Sequence, residues 1–151
     1  MNLNPKGYIR LNRKLLDQNQ KKCSNCKQIK IRTEFSKNAG EWDGLGSLCL
    51  ECKKISDQAW HKQYQQKQKH LVFEKYSSNI PECECCGETA IEFLSLDHIE
   101  GGGRQHRKEI GGNLYTWIIK HGFPEGFRVL CMNCNFAFGR FGYCPHERTS
   151  T

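Results

Sequence analysis

The pattern of apolar and polar positions predicts one long helix in the middle of the chain. Residues 53–76 contain neither glycine nor proline and are rich in Lys, Gln and Ala, a composition that favours a helix. Their apolar positions form only a loose face, and lysines cover the rest of the surface. At about 1.5 Å per residue such a helix is roughly 36 Å long. Residues 77–81, which close with Pro81, end it and separate two modules.

Shorter patterns before this helix indicate small elements. Residues 28–35 alternate enough for a short hairpin, and residues 42–46 are typical of a turn. Residues 1–22 are polar and basic with a few apolar positions. They form either a short amphipathic turn or two, or a disordered arm that docks on nucleic acid.

The pattern after the long helix predicts two strands and two short helices. Residues 91–96 alternate in part and predict a strand that delivers the next two residues at its end, and residues 127–130 predict a second strand. Asn113 is a suitable cap for a helix over residues 114–120. A last helix is expected to open near Cys134 and to end early at the glycines that follow.

The composition limits how such a chain can be stabilised. Among 151 residues, 37% are hydrophobic and the mean hydropathy is −0.73, which is a thin supply for one packed core. The first residues hold no apolar run, so we expect no signal peptide. No stretch approaches the ~20 apolar residues of a membrane span. We therefore expect an intracellular, reducing location, and structural zinc rather than disulfides for the ten cysteines.

Eight cysteines form four Cys-x-x-Cys pairs, a spacing that suits two four-thiolate zinc sites. The first site comprises Cys23, Cys26, Cys49 and Cys52, and the second comprises Cys83, Cys86, Cys131 and Cys134. The first predicts a zinc ribbon over residues 23–52, which is either a brace or a DNA-reading module. The second joins two segments separated by 44 residues.

Two cysteines remain outside this scheme. Cys85 adjoins Cys86 and competes with it as a ligand, although the Gly that follows Cys86 favours the latter. Cys144 and His146 form either a further ligand pair or, in the interpretation that we favour, a small buried residue and a surface residue.

The charge is distributed unevenly along the chain. The net charge is +7, but residues 1–76 carry +9 and residues 77–151 carry −2. The first half is therefore expected to attract a polyanion, and the second to hold cations. The alternative is that lysine and arginine merely keep a small protein soluble.

Between the second set of cysteine pairs lie three side chains that suit phosphodiester chemistry. Asp97 and His98 are adjacent, and Asn135 follows Cys134 directly. A neutral imidazole can accept a proton from water, so His98 is the candidate general base. Asp97 and Asn135 offer oxygen ligands for one Mg²⁺ or Mn²⁺ ion, and Asn133 is a near competitor of Asn135.

This ordered set of motifs resembles the HNH endonucleases, a branch of the ββα-metal nucleases. The matching residues are Cys83-x-x-Cys86-Gly87, Asp97-His98 and Leu130-Cys131-x-x-Cys134-Asn135 within residues 80–146. The resemblance implies an α+β fold: a small zinc-stabilised ββα-metal (HNH) domain, preceded by a zinc ribbon and a connecting basic helix. It also implies DNA cleavage that leaves 5′-phosphate and 3′-hydroxyl ends. The chain is similar in size and composition to small phage-borne enzymes, including free-standing homing endonucleases.

Two positions depart from the family pattern. Many members of the family have an Asn that braces the loop bearing the general base, whereas this chain has Gly126, Phe127 and Arg128 in that region. Many also have a Lys four residues after the second knuckle cysteine, where this chain has Phe138. An inactive relative is therefore an alternative: a non-catalytic zinc-binding nucleic-acid module or regulator. The Asp97-His98 pair distinguishes the two, because a binding module does not need it. A restriction enzyme is a third interpretation.

Together these observations predict a basic arm (1–22), a zinc ribbon (23–52), a basic linker helix (53–76) and an HNH nuclease domain (77–151). The expected partner is double-stranded DNA, bound by a monomer or a homodimer without membrane attachment. The expected location is the cytoplasm of a host cell, with a phage as a candidate source of the gene. Basic side chains on the linker helix and after a flexible loop of three glycines are the candidate DNA contacts: Lys53, Lys54, Lys62, Lys67, Lys69, Arg104, Arg107 and Lys108.

Overall fold

The computed structural model describes residues 5–149, and these residues form a mixed α+β structure. Five α-helices are α1 (Pro5–Leu15), α2 (Leu50–Tyr76), α3 (Gly103–Ile110), α4 (Leu114–Lys120) and α5 (Met132–Phe141). Six strands are β1 (Gln20–Lys22), β2 (Ile29–Ile31), β3 (Phe35–Lys37), β4 (Leu45–Cys49), β5 (Leu94–His98) and β6 (Phe127–Cys131). Short 3₁₀ turns cover Leu16–Gln18, Arg32–Glu34 and Pro145–Thr149.

The chain forms two compact units, Met1–Lys62 and Gln63–Thr151. The boundary falls within α2, whereas the sequence analysis placed it after residue 76. The reason is that Val72 and Phe73, near the end of α2, are completely buried in the core of the second unit. Residues 53–67 of the same helix are exposed, including Ile55 and Trp60 of its loose apolar face.

The first unit contains two antiparallel hairpins rather than the single predicted one. β1 pairs with β2, and β3 pairs with β4. No hairpin forms within residues 28–35 as predicted. Instead, β2 pairs with the preceding strand, residues 20–22, across a turn that contains Cys23 and Cys26. The buried apolar cluster of this unit comprises Phe35 and three cysteines, so packing alone provides little stability.

Residues 5–15 adopt the helical alternative of the two considered for the basic arm, while residues 1–4 lie outside the described residues. The Tyr8 hydroxyl donates a hydrogen bond to the Lys22 carbonyl over 2.6 Å. The Lys22 N–H in turn donates to Asn12 Oδ1 over 2.7 Å. These bonds dock α1 on the edge of β1.

A buried ion pair joins the two hairpins of the first unit. Lys21, which is 1% exposed, places Nζ 2.9 Å from Asp43 Oδ1 and 2.8 Å from the Leu45 carbonyl. Arg32 Nη1 lies 3.2 Å from the second carboxylate oxygen of Asp43. Burial would raise the pKa of Asp43, but the hydrogen bond and charge of Lys21 outweigh it and hold the pKa below its usual value.

The second unit is built on the antiparallel pair β5–β6, with α5 following β6 directly. The register runs from Leu94 opposite Cys131 to His98 opposite Phe127. Leu94 and Leu96 point from β5 into the core. The other fully buried apolar members of this core include Val72, Phe73, Ile118, Val129 and Leu130. The alternation of β5 therefore leaves Ser95 and Asp97 on the opposite face.

Several predicted elements of the second unit are confirmed, and one was missed. α4 covers residues 114–120 as predicted, and the Asn113 side chain accepts the Thr116 N–H over 3.1 Å. β5 both begins and ends later than the predicted strand over residues 91–96. Asp97 and His98 are therefore its last two residues rather than the residues that follow it. The predicted flexible loop of glycines instead leads directly into α3, which begins at Gly103.

None of the helices in the described part of the chain is both long enough and apolar enough to span a membrane.

We predict that Asp43→Ala destabilises the first unit by about 3–5 kcal/mol, because it leaves the Lys21 ammonium buried without its partner. Hydrogen exchange of the β1–β4 amides in urea measures the effect. Asp57→Ala is the matched control, since the Asp57 carboxylate pairs with Lys53 on the exposed surface of α2. Removing this exposed pair should cost less than about 1 kcal/mol of stability. Equal losses in the two variants would contradict a special role for the buried pair.

Candidate metal centres and catalytic cavity

The four cysteines of the first unit converge on one point. The sulfurs of Cys23, Cys26, Cys49 and Cys52 all lie within 4.8 Å of one another, and Cys26 Sγ is 4.0 Å from Cys49 Sγ. Tetrahedral zinc with Zn–S bonds of about 2.3 Å places its sulfurs about 3.8 Å apart. This cluster, which we call the ribbon cluster, can therefore hold a metal ion.

Backbone groups of the ribbon cluster favour the thiolate form that metals bind. Burial would raise the pKa of Cys23, but N–H groups of Cys49, Asn25 and Cys26 interact with its sulfur and lower the pKa to about 6. The Cys49 N–H, for example, lies 3.3 Å from Cys23 Sγ. Hydrogen bonds to the charged form of a group favour that form, so these N–H groups stabilise the Cys23 thiolate.

The second unit repeats this arrangement in the hairpin cluster, defined as Cys83, Cys86, Cys131 and Cys134. Their sulfurs also lie within 4.8 Å of one another, and Cys86 Sγ is 3.7 Å from Cys131 Sγ. In both clusters the third cysteine ends a strand and the fourth lies in the first turn of the following helix. The hairpin cluster thus ties the turn at residues 83–86 to the junction of β6 and α5.

The three residues predicted to perform catalysis lie around one cavity of about 320 Å³. Asp97 and His98 reach it from the end of β5, and Asn135 reaches it from α5. Arg104 and Arg107 of α3 complete its polar wall. A carboxylate, an imidazole, an amide and two guanidinium groups therefore share one space.

His98 is held by aromatic neighbours and by a second histidine. Its Nε2 lies 2.9 Å from Nδ1 of His106 in α3, and its ring centroid is 4.6 Å from that of Phe127. Burial lowers the pKa of His98 below its usual value, and the charges of His106 and Arg107 lower it further, while Asp97 opposes them. These effects favour the neutral form of His98, which is the form that accepts a proton.

Asp97 forms an ion pair across the two strands. Arg128 Nε donates to Asp97 Oδ2 over 2.9 Å, and both side chains are 19% exposed. The Arg128 guanidinium also lies 4.3 Å from the centroid of the Phe138 ring. The two departures from the family pattern, Arg128 and Phe138, are thus in contact with each other and hold Asp97 in place.

Asn135 is oriented by Ser95 on the neighbouring strand. Its Nδ2 donates to Ser95 Oγ over 2.9 Å, and Ser95 Oγ donates to the Leu130 carbonyl over 3.0 Å. The amide nitrogen is thereby occupied, which leaves the amide oxygen as the atom to bind a cation. Asn133 is exposed and is absent from the cavity wall, so the geometry favours Asn135 over its competitor.

A third set of metal-binding side chains meets at Cys134. The ligand atoms of Cys85, Cys134, Cys144 and His146 lie within 4.8 Å of one another. Cys144 is buried and His146 exposed, as the favoured interpretation of the sequence had them, but both contact Cys134. The unassigned Cys85 and the Cys144-x-His146 spacing were the available signals for this set.

The candidate DNA contacts differ in how accessible they are. Lys54, Lys62 and Lys67 are exposed along α2, and Arg104, Arg107 and Lys108 are exposed on α3. Lys53 pairs with Asp57 over 2.8 Å. Lys69 is half-buried, and its Nζ donates to the Ile91 carbonyl over 2.8 Å, so in this structure it joins α2 to the core of the second unit.

No protein-family model, curated protein or solved structure matches this chain. The functional interpretation therefore depends on the geometry of the site and on the motif resemblance.

The close approach of Gly103 to His98 provides a test of the cavity. A Cβ at residue 103 would lie 2.7 Å from His98 Nδ1 and 3.1 Å from Cε1, so Gly103→Ala must displace the imidazole. We expect the imidazole NMR signals of both His98 and His106 to shift. Gly139→Ala in α5 is the matched control, because its Cβ meets nothing within 4 Å. Unchanged His98 signals in Gly103→Ala would contradict the packing described.

Proposed function

We propose that the protein is a metal-dependent DNA endonuclease of the HNH type. The observation that carries the proposal is the single cavity that contains Asp97, His98 and Asn135 beside two arginines. A strand pair followed by a helix supplies all three residues, which is the order that the ββα-metal motif requires. The products would carry 5′-phosphate and 3′-hydroxyl ends, as the family resemblance implies.

His98 is the general base of this proposal. Burial and nearby positive charge lower its pKa and favour the neutral ring, and a contact of 2.9 Å with His106 fixes the orientation of the ring. A water molecule in the cavity would donate its proton to His98 as the water oxygen attacks phosphorus. His106 acts through His98 and is a positioning residue.

Asp97 and Asn135 are the residues that would hold Mg²⁺ or Mn²⁺. Both are oxygen donors that line the same cavity, and hard divalent cations prefer such ligands. One oxygen of Asp97 is engaged by Arg128, and the other is not part of that ion pair. When bound, the ion supplies positive charge that stabilises the phosphorane and the departing oxygen.

Double-stranded DNA is the proposed substrate because the positive groups suit a phosphate backbone. Arg104 and Arg107 line the cavity itself, and Lys108 extends the same exposed helix. The exposed lysines of α2 and the net charge of +9 on residues 1–76 add electrostatic attraction to the phosphates that does not depend on the base sequence of the DNA.

Structural zinc in the ribbon cluster and in the hairpin cluster is part of the proposal. The sulfur separations of 4.0 Å and 3.7 Å are close to the tetrahedral value of about 3.8 Å. Among the described residues, the buried apolar ones around the ribbon cluster are only Phe35 and cysteines of the cluster itself, which is also what a zinc-stabilised module requires.

A non-catalytic nucleic-acid-binding module is the second candidate, and one observation favours it. The ion pair between Asp97 and Arg128 is what a purely structural strand pair would contain. Such a module would keep the zinc clusters and the basic surface but would have no need of a neutral His98 beside a carboxylate.

We predict that His98→Ala abolishes cleavage, with a loss of at least about 10²-fold in rate, while DNA affinity stays within a few-fold. The assay follows nicking of supercoiled plasmid and of a genomic DNA pool with Mg²⁺ or Mn²⁺, and with EDTA as a blank. His70→Ala is the matched control, since this exposed histidine of α2 only pairs with Glu74. It should cleave like the wild type.

Two results would contradict the nuclease. Wild-type protein that binds both DNAs in a gel shift but cuts neither in any metal ion would support the binding module. Equal loss of affinity and cleavage in His98→Ala would make His98 a structural residue.

A further inference from the structure

The segment after α5 returns to the hairpin cluster. α5 ends at Phe141, Gly142 after it has a left-handed backbone with φ of 76°, and the chain then turns back at Cys144 and His146. His146 Nδ1 lies 3.2 Å from Cys134 Sγ and 3.6 Å from Cys144 Sγ. The side chains of this segment therefore approach a cysteine that already belongs to another cluster.

These distances fit the edges of a metal tetrahedron. Zinc with Zn–S bonds of about 2.3 Å and Zn–N bonds of about 2.0 Å separates nitrogen from sulfur by about 3.5 Å. The fourth ligand is Cys85, whose sulfur lies within 4.8 Å of the other three ligand atoms. Three thiols and one imidazole are a common ligand set of structural zinc.

Cys134 is the member that both tetrahedra share. Its thiol interacts with those of Cys131 and Cys86 on the side of the hairpin cluster, and with those of Cys144 and Cys85 on the other. Cys134 is completely buried, so its sulfur has these ligands rather than water as neighbours. Seven ligand atoms thus form two groups of four with one sulfur in common.

We propose that Cys134 bridges two zinc ions in a binuclear site. One ion is held by the hairpin cluster, and the second by Cys85, Cys144, His146 and the same Cys134 sulfur. A thiolate has enough lone pairs to bind two cations at once. The second ion joins the C-terminal segment to the turn at residues 83–86 and to α5, the helix that carries Asn135.

The charge balance is consistent with two ions. Six thiolates and two Zn²⁺ ions leave a net charge of −2, the same as four thiolates around one Zn²⁺. Binding of the second ion requires the thiols of Cys85 and Cys144 to lose one proton each, because Cys134 is already a thiolate and His146 binds as neutral imidazole. Two protons are therefore released to solvent.

The first test is the zinc content of the full-length protein, loaded under reducing conditions, dialysed and examined by native mass spectrometry. We expect three ions per chain: one in the ribbon cluster and two in the binuclear site. Cys85→Ser and His146→Ala should each retain two. His121→Ala, in which an exposed histidine at the end of α4 is removed, is the matched control and should retain three.

The ligand variants also separate this site from the catalytic cavity. A third zinc ion bound adventitiously at Asp97 and Asn135 would persist in Cys85→Ser, and this result would overturn the proposal. Two ions in the wild type would overturn it as well, as would a mass lower by two hydrogens that reveals a disulfide between Cys85 and Cys144.

The bridge itself is tested in wild-type protein loaded with ¹¹³Cd, which requires no variant to fold. In a ¹H–¹¹³Cd correlation spectrum, the β-protons of Cys134 should couple to two cadmium signals, while those of Cys83 and Cys144 couple to one each. Coupling of Cys134 to a single cadmium ion would show that no thiolate is shared.

Discussion

The convergence of four cysteines at the junction of β6 and α5 is the constraint on which the second unit depends. A two-stranded hairpin is marginal by itself in water, and the apolar core beneath this one is small. The hairpin cluster closes a loop of 44 residues at the place where Cys131 ends the strand and Cys134 begins the helix. The angle between strand and helix, and hence the position of Asn135, follows from that closure.

Polar contacts then fix each side chain of the cavity individually. Asp97 is paired with Arg128, and His98 contacts His106. Asn135 bonds to Ser95 as well, so each of the three candidate catalytic groups has a partner on a neighbouring element. Such support from surrounding residues keeps reactive groups in position before substrate arrives.

The sequence predicted those features whose signals are local. The helix over residues 114–120, with its cap, and the convergence of paired cysteines both follow from spacing along the chain. Helix α3 was missed because two glycines precede it, a third begins it, and most of its other residues are polar or charged. The pairing of Asp97 with Arg128 depends on strand register, and the approach of Cys144 to Cys134 depends on tertiary folding. The first leaves no pattern in the sequence, and the second leaves only the unassigned Cys85 and the Cys144-x-His146 spacing. Nuclease activity itself stays a prediction.

The most direct test of this account is hydrogen exchange of the β5, β6 and α5 amides before and after removal of metal by a zinc chelator under reducing conditions. If metal at the hairpin cluster holds the strand pair against the helix, protection in these elements should fall by orders of magnitude on chelation and return when Zn²⁺ is added. Protection that is unchanged after complete removal of metal would show that the apolar core alone maintains the site, and the central claim would be wrong.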